Sequence, residues 1–308
     1  MVNTKSAKIL LFGKNSQVGR RLCEKLLPLG HLITFGSKEV DFRDINKLRQ
    51  CIKTYKPDFI VNCAAYTQVD KAESEIQEVF AVNTEAVKVI AEEAERANSW
   101  LLHYSSEYVF DGLNREAYKE DDIVKPLNVY GQSKAEGDRH ILQISTKYII
   151  LRSSWIFDSY GKNFPKTILS LAQKNSFLHV VDDQVGSPTS AVLIAGITSF
   201  ILYKILTDLP SETKNLSGIY NIAASGEISW YKFACFLIQE AYNLGITLSC
   251  SPENVTPISS QHYYTPAKRP LNSRLNTDKL SHKFGLVMPK WELYIPSLLN
   301  ELKIIGVL

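Results

Sequence analysis

The sequence predicts an α/β protein, a doubly wound parallel sheet with a second, smaller mixed α/β domain. Three observations carry that prediction. Short, continuous apolar runs alternate with longer stretches of helical periodicity through the first half of the chain, as strands covered by helices on both faces do. The first apolar run ends in a glycine-bounded turn that opens a helix. At 308 residues the chain is long enough for two domains and can bury roughly three quarters of its extended surface.

Taken in order, Lys8–Phe12 (KILLF) is a strand buried on both faces, and Val18–Leu27 follows with helical spacing. His31–Phe35 is a second short strand, Ile45–Tyr55 a polar helix, and Asp58–Asn62 (DFIVN) a third strand. The segment Ser74–Ala97, rich in Glu, Ala and Val, reads as one helix, after which Trp100–Ser105 returns as a strand and Lys147–Arg152 (KYIILR) supplies another. Strands alternating with helices mean parallel pairing with right-handed crossovers. Beyond this point the rhythm loosens. Tyr220–Ala223 reads as a late strand, Trp230–Ala241 as a helix, and Leu248–Ser273, punctuated by Pro252, Pro257, Pro266 and Pro270, as a loop. The expected division is an N-terminal domain over 1–153, to whose sheet later strands can return, and a looser domain over 154–308. Irregular loops beside a rigid sheet are where substrate specificity usually sits.

Composition narrows the classes further. A chain that is 45% hydrophobic and 22% charged is neither disordered nor collagen-like. Lys and Arg number 35 against 32 Asp and Glu, and a net charge of +3 with no run of like charges implies no nucleic-acid partner. Cys23, Cys51, Cys63, Cys235 and Cys250 are odd in number and widely spaced without a C-x-x-C pair, so reduced, mostly buried thiols in a cytoplasmic protein are expected. The opening MVNTKSAKILLFG lacks the apolar core of an export signal. Ala191–Tyr203, the most apolar stretch, is shorter than the roughly 20 residues of a bilayer span and reads as a buried helix, with no membrane partner expected. None of the six histidines pairs with acids or cysteines at ligand spacing, so no metal site is expected, and His103 reads as structural.

The turn Gly13-Lys14-Asn15-Ser16-Gln17-Val18-Gly19 follows the first strand directly. A dinucleotide-binding turn needs a glycine for the tight bend, a small residue where the pyrophosphate approaches the backbone, and a glycine where helix meets strand. Gly13 and Gly19 fit the outer positions and Ser16 occupies the middle one, so the sheet is expected to be Rossmann-like. Ser16 brings a Cβ and a hydroxyl to the phosphate, which either weakens binding or adds a hydrogen bond. After the second strand stand Ser37 and Lys38 instead of the acid that binds the ribose 2′-OH of NAD, which points to NADPH over NADH. An ordinary solvated turn lysine accounts for Lys38 as well. Asp41 and Phe42 are placed to flank the adenine.

Tyr130 and Lys134 in Tyr-Gly-Gln-Ser-Lys share one face of a helix. A cation near a phenol favours the phenolate, so Lys134 is expected to lower the proton affinity of Tyr130 and let it exchange a proton with a carbonyl or hydroxyl. Ser106 lies upstream, at the C-terminal end of a parallel strand, where open α/β sheets bind ligands. Its hydroxyl can hold a substrate oxygen beside Tyr130. Lys268 and Arg269, in the proline-rich late loop, suit a diphosphate, and as solvated loop charges they need no ligand.

The motifs LLFGKNSQVG, NCAAYTQVDKAE, HYSSEYVFDG, PLNVYGQSK, LRSSWIF, DDQVGSPT and RPLNSRLNT, in this order over nearly the whole chain, resemble the extended short-chain dehydrogenase/reductase superfamily. Within it the chain is most similar to the dTDP-4-dehydrorhamnose reductase family. That resemblance implies NAD(P)H-dependent reduction of the 4-keto group of dTDP-4-dehydro-L-rhamnose to dTDP-L-rhamnose, in dTDP-rhamnose and cell-surface polysaccharide biosynthesis. It implies Tyr130 as proton donor, Lys134 as the cation that holds the nicotinamide ribose, and Ser106 and Glu107 against the sugar. It also implies that Ser16, Gln17 and Val18 meet the pyrophosphate, Asp41 and Phe42 the adenosine, and Ala65, Tyr66 and Thr67 the middle of the cofactor. Trp155 matches a tryptophan lining the sugar pocket; core packing is the plainer reading of a large aromatic.

Some bacterial members dimerise through a magnesium ion held by three glutamates. The matching positions here are Arg21, Val192 and Glu301, so no metal bridge and a monomer are expected. The related 4,6-dehydratases place an Asp-Glu pair after the Ser/Thr. Here the pair is Glu107-Tyr108, which disfavours dehydration and leaves an epimerase or another nucleotide-sugar reductase open. The NADP-binding regulatory subunit of methionine adenosyltransferase also resembles this family, and the presence of Ser106, Tyr130, Lys134, Trp155 and Arg269-Pro270 favours catalysis over that alternative.

Overall fold

The computed structural model describes residues 6–213 and 215–308. The reading of the N-terminus as free of an export signal rests partly on residues 1–5, which lie outside the described residues. The main sheet contains β1 (Ala7–Phe12), β2 (Gly30–Phe35), β3 (Phe59–Asn62), β4 (Trp100–Ser106), β5 (Tyr148–Ser153) and the later strand Gly218–Ile222. All pair in parallel, in the spatial order Gly218–Ile222, β5, β4, β3, β1, β2. The predicted Tyr220–Ala223 strand is therefore an edge strand of the main sheet, shifted toward the N-terminus.

The continuous apolar runs are explained by two cores, one on each face. Ile9, Leu11, Val61, Leu102 and Leu151 point to one side, and Leu10, Phe12, Ile60, Leu101 and Ile150 to the other. Helices α1 (Gln17–Lys25), α2 (Ile45–Tyr55), α3 (Val69–Ala72), α4 (Ile76–Phe80), α5 (Ala86–Arg96) and α6 (Val129–Ile144) fill the crossovers. Ser16, Asp44 and Asn128 cap α1, α2 and α6, each accepting from a backbone N–H three residues on.

The single helix expected over Ser74–Ala97 is broken. Between α4 and α5 the chain makes a π-helical turn, Ala81–Glu85, whose wider winding turns Asn83 inward, where it is buried. Nothing in the apolar periodicity marks that turn.

The later chain comprises α7 (Phe164–Lys174), α8 (Ala191–Thr207), α9 (Pro210–Thr213), α10 (Trp230–Asn243), α11 (Asp278–Phe284) and α12 (Ile295–Ile304). The buried helix predicted from Ala191 is α8. It packs against α1 on the sheet, and its Thr198 shares a 2.6 Å hydrogen bond with the hydroxyl of Tyr104 from β4. The stretch Leu248–Ser273 is not all loop, for Val255–Ile258 pairs in parallel with Leu178–Val181. The alternating Val-Thr-Pro-Ile pattern is compatible with that short edge strand despite Pro257. All five cysteines are free; Cys250 is buried and the other four are half-buried, more exposed than expected. Among the described residues no helix is long and apolar enough to cross a membrane.

Candidate active site

The chain leaves β1 for β2 on one side and returns to β3 on the other, so the C-terminal ends of β1 and β3 form a topological switch point where open α/β sheets bind ligands. A cavity of about 560 Å³ opens there, within the range of small-molecule sites. Two glycines set the turn beside it, of which Gly13 lines the cavity. Gly13 has φ +81°, and a Cβ there would stand 2.6 Å from the Ala64 backbone; a Cβ on Gly19 would stand 2.1 Å from the Gly13 carbonyl. Neither approach is open to a larger residue, so helix α1 aims its N-terminus at the cavity.

Of the residues expected at the cofactor, Gly13, Ser16, Lys38, Asp41, Phe42, Ala65, Tyr66 and Thr67 line this cavity. Gln17, Val18 and Gly19 do not. Val18 is in the core, and the Gln17 side chain accepts a 2.8 Å hydrogen bond from Asn163, which leaves their contribution to the backbone of the helix N-terminus. Ser16 Oγ accepts from Gly19 N at 3.0 Å and so caps the helix while its own O–H stays free to donate. Phe42 meets Phe12 edge-on at 5.4 Å, and Asn83 clamps the Tyr66 backbone with bonds of 2.9 and 3.1 Å. Asn15, Arg43 and Glu78 were missed by sequence reasoning. Arg43 follows the Asp41-Phe42 pair directly, and its guanidinium lies between Asp41 and Glu78.

The reactive cluster lies at the end of β4. Ser106 caps the short turn that follows and donates to Glu107 at 2.7 Å, and its hydroxyl is close enough to the Tyr130 phenol to favour the phenolate. Tyr108 packs edge-on against Tyr130 at 5.5 Å. Burial pushes the Glu107 carboxyl up to about 7, against the pull of Ser106. The expectation that Lys134 lowers the proton affinity of Tyr130 is corrected. Burial, reinforced by Glu107, holds the Tyr130 phenol well above its ordinary value, and Ser106 opposes only in part. Lys134 Nζ instead donates to the Tyr104 carbonyl at 2.6 Å and meets His103 at 3.3 Å. Burial brings Lys134 down to about 8.

Other segments close over this cluster. Asn128 donates to the Lys268 carbonyl at 2.8 Å, and Glu73 accepts from Val129 N at 2.9 Å. Arg269 forks onto Asp70 at 2.8 and 3.1 Å, so the fork expected at a diphosphate is engaged by a carboxylate, while the Lys268 side chain is exposed. Trp155 combines a left-handed backbone, φ +49°, with a ring stacked on Trp230 at 3.3 Å. A strained position of this kind on a bulky residue occurs where the surrounding structure fixes it. Here the stack on Trp230 holds the ring and Gly186 makes room for it, since a Cβ on Gly186 would stand 2.5 Å from the indole. Among the described residues no cluster of three or more His, Cys, Asp or Glu could hold a metal; Arg21 and Glu301 form an ion pair with each other.

Comparison with known proteins agrees with this geometry. The family model described as RmlD substrate binding domain matches residues 7–304. The dTDP-4-dehydrorhamnose reductase of Escherichia coli K12 is 40% identical over 96% of this chain and 97% of its own, and that of Aggregatibacter actinomycetemcomitans 41% over 93% and 96%. The crystal structure of dTDP-4-dehydrorhamnose reductase from Bacillus anthracis in complex with NADP superposes with a TM-score of 0.84 at 30% identity, covering 96% of this chain and 99% of that one. By the extent of these matches, the chain belongs to the RmlD substrate binding domain family, that of the dTDP-4-dehydrorhamnose reductases.

Proposed function

We propose that this protein reduces the 4-keto group of dTDP-4-dehydro-L-rhamnose to dTDP-L-rhamnose with NAD(P)H, in the biosynthesis of dTDP-rhamnose and cell-surface polysaccharide. The observation that carries the reading is the cluster at the end of β4, where the Ser106 hydroxyl favours the phenolate of buried Tyr130 and Tyr108 packs on its ring at 5.5 Å, on the same sheet edge as the cavity beside Gly13. The residues fit a dinucleotide: the close approaches at Gly13 and Gly19 clear the path to the N-terminus of α1, whose unpaired N–H groups suit a pyrophosphate. When bound, the reduced nicotinamide supplies the hydride. Lys38 and Arg43 at the adenosine end favour a 2′-phosphate and hence NADPH.

Tyr130 then acts as the acid. A phenol held above its ordinary value remains protonated at neutral pH, which suits donation to an oxygen that becomes an alkoxide. Ser106 orients that oxygen beside Tyr130. Lys134, mostly charged below about pH 8, supplies positive charge to the ribose and the developing oxyanion. Tyr108, packed against Tyr130, fills the place of the second carboxylate that a 4,6-dehydratase uses, so elimination lacks its acid–base pair.

The part after residue 154 provides the sugar-nucleotide side, with Trp155 against the sugar and Lys268 and Arg269 toward the diphosphate. Arg269 reaches that role by exchanging Asp70 for phosphate oxygens. The protein works in the cytoplasm as a monomer, a reading supported by the engagement of Glu301 with Arg21 inside one chain. Purified protein given dTDP-4-dehydro-L-rhamnose is expected to oxidise NADPH, and NADH more weakly; no oxidation of either refutes the assignment.

A further inference from the structure

Behind the catalytic helix runs a buried polar stripe that the reaction described above does not use. On the sheet it consists of Asn62 at the end of β3, His103 and Ser105 on β4 and Arg152 on β5, each 6% exposed or less. Facing it are Lys134 and Asp138, one turn apart on α6 and equally buried. Ser105 and Arg152 serve Asp138, donating to Oδ2 at 2.8 and 3.3 Å. His103 serves Lys134, with Nε2 at 3.3 Å from Nζ.

The proton of His103 is placed by its other neighbour. Asn62 Oδ1 accepts from the Ala64 backbone N–H at 3.1 Å, so the amide nitrogen of Asn62 is what meets His103 Nδ1, also at 3.1 Å. Turning that amide over would set two N–H groups against each other at Ala64. Nδ1 is therefore an acceptor, and the one proton of a neutral imidazole falls on Nε2. The ring is neutral, because burial and the neighbouring lysine hold it well below its ordinary value. An Nε2–H aimed at Nζ is matched by the lone pair of an amine and opposed by the N–H bonds of an ammonium.

We infer that His103, locked by Asn62 in its Nε2–H tautomer, is a positioning residue that presents to Lys134 Nζ a donor that only the amine can accept, and so favours the amine over the ammonium. Its effect on turnover presupposes the reductase activity proposed above; the tautomer does not. The titratable and charged groups around Nζ are His103 on β4, Asp138 and Tyr130 on α6, Arg152 on β5 beyond Asp138, and Glu107 in the turn after β4. The π-turn packed on α6 faces it with the uncharged Asn83 and Thr84. Only Asp138 among these favours the charged lysine directly. The balance sets the pH at which Lys134 changes charge, and the alkaline limb of turnover reports it.

The full-length protein carrying ¹⁵N-histidine tests the tautomer without any ligand. Long-range ¹H–¹⁵N spectra, with the His103 signals identified by their loss in His103→Gln, are expected to show protonated Nε2 and bare Nδ1 from about pH 6 to 9. A protonated Nδ1, or a ring protonated on both nitrogens, overturns the inference. In the reductase assay Asn62→Ala releases the ring to turn an acceptor toward the ammonium, and the alkaline limb of kcat is expected to rise by about one pH unit, a tenfold gain in proton affinity. A limb that stays or falls overturns the link to Lys134. If the wild type reduces nothing, the reductase reading fails while the spectra still decide the tautomer.

Discussion

Ser106, Tyr130 and Lys134, the residues proposed to carry the reaction, stand out in the sequence by residue type and spacing: a hydroxyl at a strand end, a phenol and an amine one helical turn apart. Their proton affinities were not readable, since those depend on burial and on neighbours from other segments, such as His103 across the sheet. Tyr130→Phe keeps the ring against Tyr108 and removes only the hydroxyl. Turnover is expected to fall by roughly 10²- to 10⁴-fold while NADPH still raises the melting temperature as in the wild type. Glu107 makes a second residue-scale prediction. Its folded value near 7 lies above the ordinary 4.5, so the folded state holds the proton more tightly. The stability this contributes is complete below 4.5 and disappears as pH rises through about 7, a loss of about 3 kcal/mol. Urea titrations of wild type and Glu107→Gln are expected to diverge in that window, the variant being the less pH-dependent; parallel curves would mean that the carboxyl is not buried as described.

At the scale of elements, the strands and most helices were legible because two-sided burial leaves continuous apolar runs and amphipathic stripes. The π-turn was not, because an extra residue in a helical turn leaves the composition unchanged while redirecting one side chain. That side chain matters here: Asn83 reaches both the Tyr66 backbone at the cofactor cavity and Ser133 on α6, at 3.0 Å. The close contact of α6 with this turn is made at Gly137, where a Cβ would stand 2.3 Å from the Asn83 carbonyl. A glycine inside an exposed helix gains about 1 kcal/mol on replacement by alanine. At this packed position the sign reverses, and Gly137→Ala is expected to cost roughly 1–3 kcal/mol by forcing the helix off the turn. Thermal unfolding reads the sign directly, and KM for NADPH is expected to rise with the loss because Tyr66 follows Asn83. A raised melting temperature would place α6 farther from the turn.

For the whole molecule, the sequence pattern showed two kinds of region but not how they are fastened, because the fastening joins residues far apart in the chain. Helix α8 and the strand Gly218–Ile222 lie after residue 153 yet are built onto the main sheet. One polar junction between early and late segments is Arg21 on α1, which donates to Asp158 at 2.7 and 2.8 Å and pairs with Glu301 on α12. The Asp158 side chain is fully buried, whereas that of Glu301 is 33% exposed. These partners are unequal. A buried carboxylate that loses its guanidinium retains only the Ser159 hydroxyl and the Tyr160 N–H, so Arg21→Ala is expected to cost about 3–5 kcal/mol, whereas Glu301→Gln, relaxing into water, costs about 1 kcal/mol or less. Arg21→Lys, which keeps the charge but not the fork, falls between them. Equilibrium unfolding in urea orders the three variants. Equal losses for Arg21→Ala and Glu301→Gln would show that the C-terminal helix, not buried Asp158, is what Arg21 secures.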